Sequence, residues 1–187
     1  MEAISKTFKA EKIFKLILIT VLGSLLITLS AKIKIPFYPV PMTMQTFVIL
    51  LIGITLGYKM GLATVVLYLF EGIIGLPVFA SSPEKGIGIA YFIGPTMGYL
   101  IGFLAAVYFS GTFKYNKGII DTFLKLIFSV SFIYILGLIW LGILIGWDKP
   151  IFKLGAQPFL LAELFKILLL LFLTPTLLKA KKLIKIT

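Results

Sequence analysis

The chain has 187 residues, 60% of them hydrophobic, and a mean hydropathy of +1.11. That excludes an ordinary soluble domain, where apolar residues make up roughly half. The net charge is +11, all 18 basic residues are lysine, and cysteine and histidine are absent, which excludes disulfides, imidazole catalysis and Cys/His metal sites.

Met1–Lys12 carries Lys6, Lys9 and Lys12. Five further apolar runs follow the first, so this segment reads as a cytoplasmic flank rather than a signal peptide. A first span is expected over about 13–31. Thr20, Ser24 and Thr28 recur there every fourth residue, beside Gly23. A ridge of small residues lets another helix approach closely, either within the bundle or from a different membrane protein.

Lys32-Ile-Lys-Ile-Pro-Phe-Tyr-Pro-Val-Pro41 cannot continue a helix, because it holds three prolines in six residues. An extended interfacial loop is expected, with Phe37 and Tyr38 on it, acting as a lid or as a plain connector. The second span, about 43–58, opens with Thr43-Met-Gln45-Thr46, polar side chains just inside the boundary. Gly53, Gly57 and Gly61 follow at four-residue spacing, and Gly57–Gly61 reads as a tight turn. The third span, about 62–74, carries Glu71 near its far end.

Residues 75 to about 91 form the longest expected non-helical stretch, including Ser81-Ser-Pro-Glu84-Lys85 and ending near Tyr91. The fourth span, about 94–110, presents Gly94, Gly98 and Gly102 on one face. Lys114, Lys117 and Lys125 flank the next turn. The fifth span, about 119–146, offers a kink site at Gly137 or Gly142, and Trp140 and Trp147 suit an interface position, although only one of them can sit at the boundary itself. The sixth, about 158–178, contains Glu163 and Lys166, which share a face at i,i+3 spacing. An acid and a base inside a membrane segment cost roughly 3 kcal/mol each at mid-bilayer. They neutralise each other, or Lys166 snorkels to the interface, or they serve a polar ligand.

The expected fold is therefore an all-α integral membrane protein, one bundle of six spans forming a single substrate-binding domain over 1–187. Twelve lysines fall on the termini and the turns after spans two and four, and five on the opposite connections. That bias puts both termini in the cytoplasm. Gln45, Glu71, Tyr91, Glu163 and the start of span four then converge on the outer end. Apolar walls with a few placed polar groups make a small-molecule site. The lysines form no nucleic-acid-binding module, and no P-loop is present.

Several stretches carry a resemblance: Pro41-Met-Thr-Met-Gln45-Thr-Phe, Leu56-Gly57, Gly72-Ile-Ile-Gly-Leu-Pro-Val-Phe-Ala80 and Gly94-Pro-Thr-Met-Gly-Tyr-Leu-Ile-Gly-Phe103. In this order they resemble the BioY family, the biotin-binding S components of energy-coupling factor (ECF) transporters. The acid-x-x-lysine of span six fits the same pattern. The resemblance implies six helices and biotin bound near the extracellular side under closing loops. It also implies a membrane T component and two ATPase subunits as partners, no cofactor, and no enzymatic activity of its own. On this reading Glu163 accepts from ureido N–H groups, and Lys166 donates to the ureido oxygen or balances Glu163. Phe79, Tyr99 and residues 37–38 wall the apolar part, and Thr96 stands at the start of span four. The biotin carboxylate takes a donor from Lys85, Tyr91, Thr43 or Gln45. Thr20, Ser24 and Thr28 occupy the family's docking face, without its alanine-x-x-x-alanine pattern. The family usually has aspartate where this chain has Glu163, and glycine is common where it has Met97. Rival readings are the same scaffold for another vitamin, a small membrane enzyme using Glu163, Lys166 and Glu71, and a structural subunit with no ligand.

Overall fold

The computed structural model describes residues 2–35 and 38–184. It is mostly helical, and among the described residues four stretches are long and apolar enough to cross a membrane: Ile13–Lys32, Gln45–Ile73, Ile119–Ile145 and Ile151–Lys179. A shorter apolar helix spans Met97–Thr112.

Helix α1 runs Glu2–Lys32 and so begins well before the expected position 13. The flank before it holds Glu, Ala, Lys and Ser without glycine or proline, and nothing there stops a helix. Beyond α1, β1 (Lys34–Ile35) pairs antiparallel with β2 (Met42–Thr43), Lys34 opposite Thr43. The proline-rich connector is thus a small hairpin rather than a wholly extended loop. Phe37, expected as a wall, lies outside the described residues.

Helix α2 spans Gln45–Ile73 but is broken at Gly57, whose φ of 75° and ψ of 173° only glycine adopts readily. The chain reverses there within one residue rather than across the expected Gly57–Gly61 turn. The two limbs fold back on each other. Gly61 comes to lie against Gly53, and the Gln45 amide reaches Tyr68, 23 residues on. Lys181, near the end of the chain, donates to the Ile54 carbonyl at 3.1 Å and so caps the first limb at the break. Burial holds the Lys181 ammonium below its ordinary pKa.

A connection leads from Gly75, another positive-φ position, through a turn at 81–85 to the five-residue helix α3 (Gly88–Phe92). Helix α4 is Met97–Thr112 and α5 is Ile119–Ile145. Their backbones meet closely. A methyl on Gly98 would stand 2.3 Å from the Leu136 carbonyl oxygen, and one on Gly102 2.6 Å from Ile133 Cα. Gly94 precedes α4 and does not join that face. Helix α5 runs through the suggested kink sites. Gly137 instead receives the Tyr99 ring, and Gly142 receives Trp147. A short α6 (Ile151–Gly155) and a 3-10 turn (Gln157–Phe159) lead into α7 (Leu160–Ile184), which continues through Pro175.

The ridge on α1 faces inward. Gly23 meets Thr64, and the Ser24 hydroxyl, buried, donates to Glu71 Oε2. Thr20 bonds its own helix at the Leu16 carbonyl, and Thr28 is half-buried. The Ser24 hydroxyl, expected on the docking face, is thus used inside this chain. The outward face of α1 is Phe14, Ile17, Leu18, Leu22, Leu25 and Leu29.

Candidate ligand site

The polar opening of α2 is built by its own sequence. The Thr43 hydroxyl accepts the Gln45 amide N–H and lies 3.2 Å from Gln45 Oε1. This local turn starts the helix and holds Gln45 inward. Gln45 Nε2 then donates to the Tyr68 hydroxyl at 2.8 Å. One residue on, the Thr46 hydroxyl donates to Glu163 Oε1 at 2.7 Å, tying α2 to α7.

Lys166 completes the cluster. Its ammonium donates to the Thr43 carbonyl at 2.7 Å, to the Thr46 hydroxyl at 3.0 Å and to Glu163 Oε1. An ammonium has three N–H donors, and all three are matched here. One of the three is Glu163, so here Lys166 balances the carboxylate. Glu163 Oε1 accepts from Thr46 and Lys166, whereas Oε2 is buried with no hydrogen bond of ordinary geometry among the described residues, the Tyr134 hydroxyl interacting with the carboxylate from α5. A buried carboxylate oxygen without such a bond is rare and calls for an explanation.

Both residues line a cavity. Thr43, Gln45 and Thr46 contribute from β2 and α2, and Val40 to Met42 from the hairpin. Phe79 and Ala80 come from the following connection, and Tyr91 from α3. Thr96, Tyr99 and Phe103 stand at α4, Ile133 and Tyr134 on α5, and Phe159 ahead of α7. The walls are mostly apolar and aromatic, with the polar groups gathered at Glu163. That is the usual make-up of a small-molecule site.

The motif glycines set the aromatic walls. Gly72 leaves room for the Phe79 ring, which would lie 2.0 Å from any Cβ there. Phe79 also stacks on Tyr91 at 5.2 Å and meets Tyr68 edge-on at 5.6 Å. The Tyr91 hydroxyl accepts the Ser81 N–H at 3.1 Å and keeps its own hydrogen to donate. Tyr99, seated on Gly137, donates to the Gly155 carbonyl at 2.8 Å and fixes the approach to α7.

Thr43, Gln45, Phe79, Tyr91, Thr96, Tyr99, Glu163 and Lys166 are thus brought together as expected. Lys85 is not: it is exposed, with its ammonium 6.0 Å from the centre of the Tyr38 ring, and it does not line the cavity. Tyr38, expected as a wall, is 82% exposed. Glu71 turns toward α1 rather than the cavity. The sequence reading missed Thr46 and Tyr134 as site residues. A lone tyrosine within the apolar α5 was the available signal for Tyr134, and Thr46 stood in the polar run already noted.

The family model described as the BioY family matches residues 4–183. The chain belongs to the BioY family. Within BioY-named proteins, it is 35% identical over 141 residues to the "Probable biotin transporter BioY" of Pyrococcus horikoshii, covering 75% of this chain and 82% of that one. It is also 35% identical over 143 residues to the "Biotin transporter BioY" of Thermotoga maritima, covering 76% and 83%. A crystal structure described as the S-component for biotin from an ECF-type ABC transporter superposes with a TM-score of 0.75 at 25% identity, over 90% of this chain and 93% of that one. The BioY resemblance read from the motifs is therefore borne out.

Proposed function

We propose that this chain captures biotin as the substrate-binding subunit of an ECF-type vitamin transporter in a prokaryotic plasma membrane. The observation that carries the reading is the buried Glu163 carboxylate in a mostly apolar cavity, its Oε2 without a hydrogen bond of ordinary geometry among the described residues. Biotin offers what that site lacks. A ureido N–H donates to Glu163 Oε2, while Lys166 and Thr46 hold the carboxylate from behind. The thioether ring and chain lie along Phe79, Tyr99 and Phe103. Tyr91, whose hydroxyl hydrogen is uncommitted, donates to the biotin carboxylate, with Thr43 and Gln45 beside it.

On this reading the bundle crosses the membrane six times, because the broken α2 supplies two antiparallel spans and α4 one. The lysine bias supports both termini in the cytoplasm and the cavity toward the outside. A membrane T component and two ATPase subunits supply the energy. The test is calorimetry of biotin against the detergent-purified chain, with riboflavin and thiamine as controls. Saturable submicromolar binding of biotin alone is expected. A folded, monodisperse sample that binds none of the three sinks the reading.

A further inference from the structure

Two connections flank the cavity at one end of the bundle, and lysines join them. Lys32, at the end of α1, donates to the Phe79 carbonyl at 2.9 Å and the Ser82 carbonyl at 2.7 Å. Lys34, on β1, donates to the Ala80 carbonyl at 2.7 Å and stands 3.9 Å from Glu84. The contact is returned from the other side, where Lys85 lies over the Tyr38 ring. Both partners of this clasp carry cavity wall. Val40 to Thr43 follow Lys34 in the hairpin, and Phe79 and Ala80 are among the residues whose carbonyls the lysines hold.

Backbone carbonyls in a turn need donors. Here Lys32 at the end of α1 serves the Ser82 carbonyl and joins Ser82 in serving that of Phe79, while Lys34 in the hairpin serves that of Ala80, so the turn cannot part from them without giving up three charge-assisted hydrogen bonds. Lys34 also stands opposite Thr43 in the ladder, and the Thr43 carbonyl holds Lys166. The clasp therefore reaches the Glu163 cluster in two steps. We propose that Lys32 and Lys34 are positioning residues that latch the 34–43 hairpin to the 79–82 turn and so set how long the cavity retains its ligand. The inference rests on the cavity being a biotin site.

The experiment is release of tritiated biotin from the purified chain, together with amide hydrogen exchange over residues 78–86 in the ligand-free protein. The variants are Lys32→Met with Lys34→Met, each also made singly, and Lys32→Arg with Lys34→Arg. The double Met variant is expected to release biotin about tenfold faster and to exchange faster over 78–86, with its melting temperature within a few degrees of the parent. The double Arg variant, which keeps the donors, is expected to return both readouts toward the parent. Should the double Met variant fail to yield monodisperse protein, the single Met variants carry the same comparison, each with a smaller change. Unchanged release and exchange in the Met variants overturn the latch. If the parent chain binds no biotin, the ligand reading falls and exchange alone decides: faster exchange upholds the latch, and unchanged exchange removes it.

Discussion

Glu163→Gln keeps the side chain's volume and removes its charge. Thr46 and Lys166 both donate to Oε1, so they hold the amide oxygen at that position and put the amide NH2 where Oε2 was. An acceptor facing the cavity becomes a donor. Biotin affinity is expected to fall by about 10–100-fold, the scale of one charge-assisted hydrogen bond, with little change in melting temperature. Calorimetry checks this, and an affinity near that of the parent chain would remove Glu163 from the site. Glu163→Ala is a less clean probe, because it strips Lys166 of its counter-charge in a buried place. At this scale much of the site was legible. Gln45, Thr43, Glu163 and Lys166 stand out because polar side chains inside apolar runs are costly. Lys85 misled for the opposite reason: a lysine in a connection has water or a neighbouring ring available, and nothing in the sequence says which way it points.

Among the elements, Gly57 has the strictest requirement. Its φ of 75° with ψ of 173° has no low-energy counterpart for an L side chain. Gly57→Ala is expected to cost roughly 1–3 kcal/mol and to lower the thermal midpoint in detergent by several degrees. A midpoint unchanged within a degree would mean that the reversal tolerates a side chain. The contact of Lys181 with Ile54 makes the same break a meeting point for the last helix. The four-residue glycine spacing marks a face that meets α5 closely at Gly98 and Gly102. It could not distinguish a glycine that turns the chain, such as Gly57, from one that admits a neighbour, such as Gly53 or Gly61. Helices α3 and α6 are five residues each, too short to carry a periodic pattern, and were not foreseen. The early start of α1 is hard to see because lysines mark a membrane edge and are also good helix formers, so they do not say where the helix begins.

For the whole molecule, sidedness is the property to test. The chain has no cysteine, so single introduced cysteines label without background. Lys149→Cys is expected to react with a membrane-impermeant maleimide on intact cells. Lys117→Cys and Lys182→Cys are expected to react only after permeabilisation, and the reverse pattern would invert the bundle. The family was legible because the motif residues each meet a physical need. Gly72 seats Phe79, Gly98 admits α5, and Tyr99 reaches Gly155. The α1 ridge was harder to read, since small residues serve an inner or an outer neighbour equally well, and here Ser24 turned inward. One further contact has a practical outcome. The Trp140 indole donates to the Gly94 carbonyl at 2.8 Å, two residues before Thr96 at the cavity wall, whereas Trp147 is 64% exposed. With Trp147 replaced by Phe, the remaining indole becomes a built-in optical reporter, its emission following the 94–96 turn as the cavity fills and empties, with no dye attached.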